Sequence, residues 1–280
     1  MRALLPLLLA IGLTNCGSDR GSEGDGGAGG GGAGGGGAAD GGDAADLAVA
    51  DLAGPCSDGM ALVTYGDGGV VCVDRFEAAT VVVAPDGGIA PHPYDQPVDA
   101  VGNGLTIAAV VADGIKPQGY ISEIQAASAC ANAGKRLCTL AEWLGACQGP
   151  SGFTYPYGNT YMAGACNEGR ATNPVNDCFG GGANVFTNAN MNSSCCDDQP
   201  NTVAAGGTFT KCVSQFGVYD LHGNLHEWIA TAASTGNGIF KGGFFVDAKI
   251  NGAGCLYATT AHAPSYHDYS TGFRCCADPR

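Results

Sequence analysis

Fourteen cysteines are the residues with the most chemistry in this 280-residue chain. A thiolate can attack an electrophile or hold a soft metal, and two thiols can close a disulfide. Two adjacent pairs occur, Cys195-Cys196 and Cys275-Cys276. No C-x-x-C spacing is present, which argues against a zinc cluster built from the set. His222 and His226 stand four apart, the spacing that puts two imidazoles on one face of a helix for zinc. Gly223-Asn224 between them reads as a turn instead, so two surface histidines are expected. Neither a G-x-S-x-G nucleophile elbow nor a phosphate-cradling P-loop is found.

How those cysteines behave depends on the compartment, and the first residues decide that. Met1-Arg2 supplies one positive charge, and Ala3 to Leu13 contains none. That apolar run has the length of a signal-peptide core and falls short of the roughly 20 residues of a spanning helix. Leu13-Thr14-Asn15-Cys16 follows and resembles a bacterial lipobox, with Asn15 departing from the usual small residue. Residues 1–16 are therefore expected to be a lipoprotein-type signal, with Cys16 as the lipidated residue. Residues 17–54 are mostly Gly, Ala and Asp, too poor in apolar surface to offset the entropy of ordering. They are expected to form a disordered tether with a span of roughly 35 Å. The expected location is the cell envelope, by lipid anchorage to the outer membrane or cell surface.

Residues 55–280 remain, enough for one domain with a sizeable core. In an exported chain their cysteines read as disulfides. With Cys16 set aside, thirteen of the fourteen are left, so one thiol is unmatched. Lys and Arg total 12 against 26 Asp and Glu, a net charge of -14, which argues against nucleic acid as a partner.

Several elements must position these residues. Two β-prone runs flank Gly66-Asp67-Gly68-Gly69, a hairpin signal. Val81 to Val83 reads as another strand, and 84–120 as loops and edge strands. Ser122-Glu123-Ile124-Gln125 and Thr139-Leu140-Ala141-Glu142 are capping boxes, each predicting a helix start. The first helix should stop at Gly134 and the second at Gly149-Pro150. In the second, Leu140, Trp143, Leu144 and Cys147 make one apolar face, read as core packing. Residues 150–215 should be long loops held by disulfides. Short strands are expected at Gly217-Val218-Tyr219, Glu227-Trp228-Ile229 and Phe240 to Val246. The sum is an α+β domain of low regular content.

Several segments, in order, resemble the formylglycine-generating enzyme (sulfatase-modifying factor) family. Asp74-Arg75-Phe76-Glu77 resembles its D-R-Y-E element, and Gly134-Lys135-Arg136-Leu137 with Thr139 to Trp143 its G-K-R-L-P-T-E-A-E-W segment. Tyr155-Pro156-Tyr157-Gly158 resembles Y-P-W-G, and Gly217 to Trp228 resembles G-L-Y-D-M-x-G-N-V-W-E-W. Lys241-Gly242-Gly243 and Gly272-Phe273-Arg274-Cys275 match elements near the family's C-terminus. The resemblance implies a C-type-lectin-like α+β fold, disulfide-rich here. It also implies two bridges, Cys130 with Cys275 and Cys147 with Cys255, and leaves the other cysteines unassigned. For calcium it implies the Asp220 and Glu227 side chains with the Gly223 and Leu225 carbonyls, and Asn167 at a second site. Carboxylates mixed with carbonyls suit that ion.

The family's enzymes oxidise a sulfatase cysteine to formylglycine, using copper(I) held by two cysteines after the paired glycines. Soft thiolates select that ion. Here Gly243 to Gly254 contains no cysteine, so copper is not expected. The expectation is a calcium-stabilised binding or structural module for an envelope or extracellular peptide, protein or glycan. The alternative is a formylglycine-generating-type oxidoreductase whose metal has moved, with the unmatched cysteine and the Cys195-Cys196 or Cys275-Cys276 pairs as candidate ligands.

Overall fold

A computed structural model describes residues 54–100 and 105–280. The signal, Cys16 and the glycine-rich stretch lie outside the described residues. Four helices and eleven strands occur among those described. The strands are β1 (Met60–Tyr65), β2 (Gly69–Asp74), β3 (Ala79–Val83), β4 (Ile89–Pro91), β5 (Thr106–Val110), β6 (Arg136–Leu137), β7 (His226–Ile229), β8 (Ile239–Lys241), β9 (Ala258–Thr259), β10 (Thr271–Phe273) and β11 (Cys275–Ala277). The helices are α1 (Glu123–Asn132), α2 (Leu140–Gln148), α3 (Pro174–Phe179) and α4 (Asn188–Met191). No described helix is long and apolar enough to cross a membrane.

The strands form three small sheets, ordered β1-β2-β11-β6, β10-β7-β8-β9 and β4-β3-β5. The expected hairpin is β1-β2, in register from Met60↔Asp74 to Tyr65↔Gly69. Its turn places Gly66 and Gly68 at positive φ. β11 inserts against β2 with Cys276 opposite Val73, so the last strand of the chain completes the first sheet. β7 and β10 pair in parallel, with Glu227 opposite Gly272.

Both capping boxes are present with their reciprocal bonds. Ser122 Oγ accepts from Gln125 N while the Gln125 side chain accepts from Ser122 N. Thr139 and Glu142 do the same for α2. Trp143 and Cys147 are fully buried in a cluster with Val71, Val73, Leu221 and Ile229, and Leu140 and Leu144 pack at its edge. A second cluster joins Ala126, Cys130, Trp228, Phe240 and Phe273. The strand expected from Phe240 to Val246 ends at Lys241. Gly242 and Gly243 take φ of 83° and 77°, which ends the strand. Residues 217–219 contribute only a single bridge, Val213 to Tyr219.

Six disulfides staple the domain: Cys56–Cys72, Cys130–Cys275, Cys138–Cys276, Cys147–Cys255, Cys166–Cys212 and Cys178–Cys195. Two of them hold the loop-rich region 150–215, as its composition predicts. Cys275 and Cys276 are neighbours on β11, and successive strand residues face opposite sides of a sheet. Cys275 therefore bonds to α1 in one core cluster, and Cys276 to Cys138 in the other.

Candidate binding site

The segment 217–228 is a sharply turned loop that runs into β7. Asp220, Gly223 and Asn224 all have positive φ, at 61°, 83° and 57°. A Cβ at Gly223 would overlap the Asn167 carbonyl, so only glycine allows this approach. Asn224 is the hub. Its backbone N donates to Asn167 O at 2.8 Å, and its Oδ1 accepts from Asn167 Nδ2 at 2.8 Å and from Ala204 N at 2.9 Å. Its Nδ2 donates to Glu77, whose other oxygen accepts from Leu225 N at 2.9 Å.

Beneath this loop lies a buried charge network. Arg274 Nε and Nη2 each donate to Glu227 at 2.6 Å, and Trp143 Nε1 donates to Glu227 Oε2 at 2.8 Å. The guanidinium also reaches Asp74 O at 3.0 Å and Tyr219 O at 2.9 Å. Asp74 in turn pairs with Lys135 at 2.6 Å and accepts from Cys275 N at 3.1 Å. Burial pushes the Glu77 carboxyl well above its usual range, and Glu227 and Asp220 add to the rise. Burial opposes the charge on Arg274, but Glu227, Glu77 and Asp220 more than offset it. The resembling motifs thus meet in one place. Asp74, Lys135, Trp143, Glu227 and Arg274 form one hydrogen-bonded cluster, and Glu77 with Asn224 forms another within reach of the Glu227 and Arg274 charges.

That network bears on the calcium set. Glu227 has both oxygens occupied by a guanidinium and an indole, so its charge is already matched. Asp220 Oδ2 accepts from Gly207 N at 3.2 Å. Asn167 donates its amide to Thr202 O and Asn224 Oδ1, bracing two loops. No group of three or more His, Cys, Asp or Glu able to hold an ion occurs among the described residues. Arg274 and Trp143 already hold both Glu227 oxygens, so a calcium ion at this loop would share that carboxylate with them and draw on Asp220 and the Gly223 and Leu225 carbonyls.

Asp220 gives a pH prediction. Burial raises its pKa from 3.8 to about 6, with Gly207 N–H and Arg274 pulling the other way. A carboxyl raised on folding binds more protons folded than unfolded. Its contribution is fully present below the unfolded value and lost as pH rises through about 6. Asp220→Asn, which keeps an acceptor for Gly207, should remove that loss. The variant should gain roughly 2–3 kcal/mol on the wild type between pH 4 and 7. Melting temperatures across that range check it; parallel pH profiles for the two proteins would refute it.

The two histidines are buried, not surface residues as the turn reading implied. His226 stands at the centre of a hydrogen-bonded chain. Its Nδ1 meets Ser270 Oγ at 3.1 Å and its Nε2 meets Tyr257 OH at 3.2 Å, and Tyr257 OH donates to Asp247 Oδ2 at 3.1 Å. Phe240, Phe244 and Tyr257 pack around the ring. Burial drives its pKa down to about 3, so it is neutral. His222 is fully buried, and neither ring nitrogen has a hydrogen-bond partner. The turn at 223–224 separates the imidazoles, so they form no zinc pair.

His222 is fully buried, edge-on to Tyr155 of loop 154–170, where that loop meets loop 243–257. Cys255 N donates to Thr154 O at 2.8 Å, and the Cys147–Cys255 bridge pins the second loop to α2. Tyr155 and Tyr157 stack at 5.5 Å, with Tyr161 tilted 5.9 Å from Tyr155. Tyr155 meets His222 edge-on at 5.4 Å. Lys249 Nζ lies 3.8 Å from the Tyr161 ring centre and 3.3 Å from Glu168 Oε2. Glu168 also lines an adjoining groove of about 340 Å³ with Asn167, Arg170, Asn201 and Phe209. Sequence reasoning singled out neither Tyr161, Glu168 nor Lys249. Three tyrosines within 155–161 were the available signal.

The thiols are accounted for. Cys195, Cys275 and Cys276 are all in disulfides, so neither adjacent pair can serve as a relocated metal site. Among the described residues Cys196 is the free cysteine; it is buried, and burial pushes its thiol up to about 12.

Residues 107–279 match the family model described as the sulfatase-modifying factor enzyme 1-like domain. The hairpin that ends at Asp74, and Glu77 just after it, precede that match, yet the hairpin pairs with β11 inside it. Similar solved structures include the Major Tropism Determinant U1 variant, at 16% identity and TM-score 0.40, covering 81% of this chain and 54% of that one. CarF is also similar, at 16% identity and TM-score 0.42, covering 79% of this chain and 98% of that one. The chain thus spans about half the length of the Major Tropism Determinant variant it matches.

Proposed function

The chain belongs to the sulfatase-modifying factor enzyme 1-like family, with its α+β, C-type-lectin-like fold, and on that footing we propose an exported, lipid-anchored binding module that does not carry out copper-thiolate oxidation. The thiol inventory carries this reading. Copper(I) in the resembling enzymes requires two thiolates, because soft ligands select it. The stretch from Gly243 to Gly254 holds no cysteine. Its Asp247 is tied to Tyr257 and, through Oδ1, to Lys249 N and Ile250 N. Twelve described cysteines are in disulfides, and Cys196 is a buried neutral thiol.

The test uses the mature protein with copper, oxygen, a thiol reductant and a peptide bearing the C-x-P-x-R motif. The peptide mass is expected to stay unchanged while an active family enzyme converts it alongside. Formation of formylglycine would overturn the reading.

A module of this kind acts by holding a peptide, protein or glycan of the envelope. The acidic balance, net charge -14, favours cationic partners over nucleic acid. Lipid anchorage has its own test. Wild type should sediment with membranes and take up labelled fatty acid, and Cys16→Ser should do neither. Unchanged labelling of the variant would rule Cys16 out as the acylated residue.

A further inference from the structure

One edge of the first sheet is open. In the order β1-β2-β11-β6, β1 has a partner strand on one side only. Arg75 N donates to Gly59 O at 2.9 Å, and bonded positions alternate along an antiparallel ladder. In the register of β1 with β2, the bonded positions are then Ala61, Val63 and Tyr65. The N–H and C=O groups of Leu62 and Thr64 point the other way, off the sheet. None of these four groups has a hydrogen-bond partner among the described residues.

A free edge is ordinarily protected by a charge, a proline, a bulge or a covering element. β1 is Met-Ala-Leu-Val-Thr-Tyr, with no charge, proline or glycine. Beside it lies a groove of about 600 Å³, walled by Thr64 and Tyr65 on the strand and by Ala141, Leu144 and Gln148 on α2. Gly145 brings the helix close, because a Cβ there would overlap Tyr65 and stand 3.5 Å from Thr64 O. On the outer face of the sheet Leu62 and Val70 are 41% and 44% exposed. A strand added at this edge would therefore meet apolar side chains on both of its faces.

The exposed groups select the occupant. Two donors and two acceptors at strand spacing match the backbone of an extended peptide. No Lys or Arg lines the groove, and Asp67 stands between Gly66 and Gly68, which do line it. With a net charge of -14 the chain repels a second copy of itself and attracts a basic segment. We propose that the open edge of β1, with the groove against α2, takes up an extended basic segment of a partner protein as an added β-strand. The inference rests on the binding-module reading and names the surface and the conformation of the ligand.

The test uses the mature protein, amide exchange followed by NMR, and the acetylated peptide K-V-T-V-T-K. In the free protein the Leu62 and Thr64 amides should exchange at least about a hundredfold faster than those of Ala61 and Val63. The peptide should slow exchange at 62 and 64 and leave 61 and 63 unchanged. A peptide with prolines in place of both threonines should bind at least about tenfold more weakly. One with glutamate at both ends should bind about twofold to fivefold more weakly. Thr64→Pro removes an outward N–H and no ladder bond, and should weaken binding about tenfold. Ala141→Trp, on the exposed side of α2, fills the groove and should weaken binding about as much, with near-UV circular dichroism unchanged. Slow exchange at 62 and 64 in dilute free protein would mean that the edge is already covered, and would overturn the site. Protection that grows with protein concentration, with a dimer seen by ultracentrifugation, would give the edge to a second copy and overturn the partner. Absence of binding at millimolar peptide would overturn the added strand. Turnover of the C-x-P-x-R peptide sinks the module reading instead and leaves the exchange pattern intact, so the two failures are distinguishable.

Discussion

Replacing Arg274 with methionine is expected to destabilise the domain by about 3–5 kcal/mol, the cost of leaving a buried charge unpaired. Both Arg274 and Glu227 are about 1% exposed and joined by two 2.6 Å bonds. Without the guanidinium, Glu227 keeps only the Trp143 N–H. Asp220 and Glu77 also lose their nearby cation, and the carbonyls of Asp74 and Tyr219 lose a donor. For a domain of this size the melting temperature should fall by roughly 8–15 °C. Arg274→Met combined with Glu227→Gln should recover a large part of that loss. Glutamine keeps an acceptor for Trp143 and removes the orphaned charge. A single variant melting within about 2 °C of wild type would show that the network is not the keystone proposed here.

The disulfide clamp on β11 should give the other large effect, and a non-additive one. Cys130–Cys275 and Cys138–Cys276 span 145 and 138 residues and end on neighbouring positions. With one intact, the other closes only a short loop: eight residues from 130 to 138 plus one from 275 to 276. In the chain-entropy model that loop is worth about 2.5 kcal/mol, whereas the first closure, which Cys147–Cys255 already shortens to 17 residues from 130 to 147 plus 20 from 255 to 275, is worth about 4. Removing either bridge by Cys→Ser should therefore cost about 2.5 kcal/mol, and removing both about 6–6.5. Denaturant unfolding without reductant measures the three variants. A double loss no larger than the sum of the single losses would mean that native-state packing, not loop closure, sets their value.

These two predictions fall on the same residues that made the family resemblance legible. Asp74, Glu77, Asn224, Glu227 and Arg274 are scattered over two hundred positions, yet they converge on one buried region. The motifs mark the interior, so they indicate family and fold. They do not indicate a ligand.

Local chemistry determined what the sequence could determine by itself. Ser122 with Gln125 and Thr139 with Glu142 fixed both helix starts, because a capping box satisfies orphan N–H groups within four residues. Gly66 and Gly68 set the first hairpin for a similar reason. The absence of cysteine between Gly243 and Gly254 is likewise plain in the sequence, and with it goes the thiolate pair that the resembling enzymes use for copper(I). Tertiary structure decided the rest. Only the alternation of β11 sent Cys275 and Cys276 to different cores. Only the folded chain put Arg274 against Glu227, so the carboxylate that its motif implied for calcium is already paired with a guanidinium. His222 and His226 looked like surface residues because their neighbours form a turn, and the turn itself is buried against Asn167, 57 positions from Asn224. Burial and long-range pairing are properties of the assembled chain, and no window of sequence contains them.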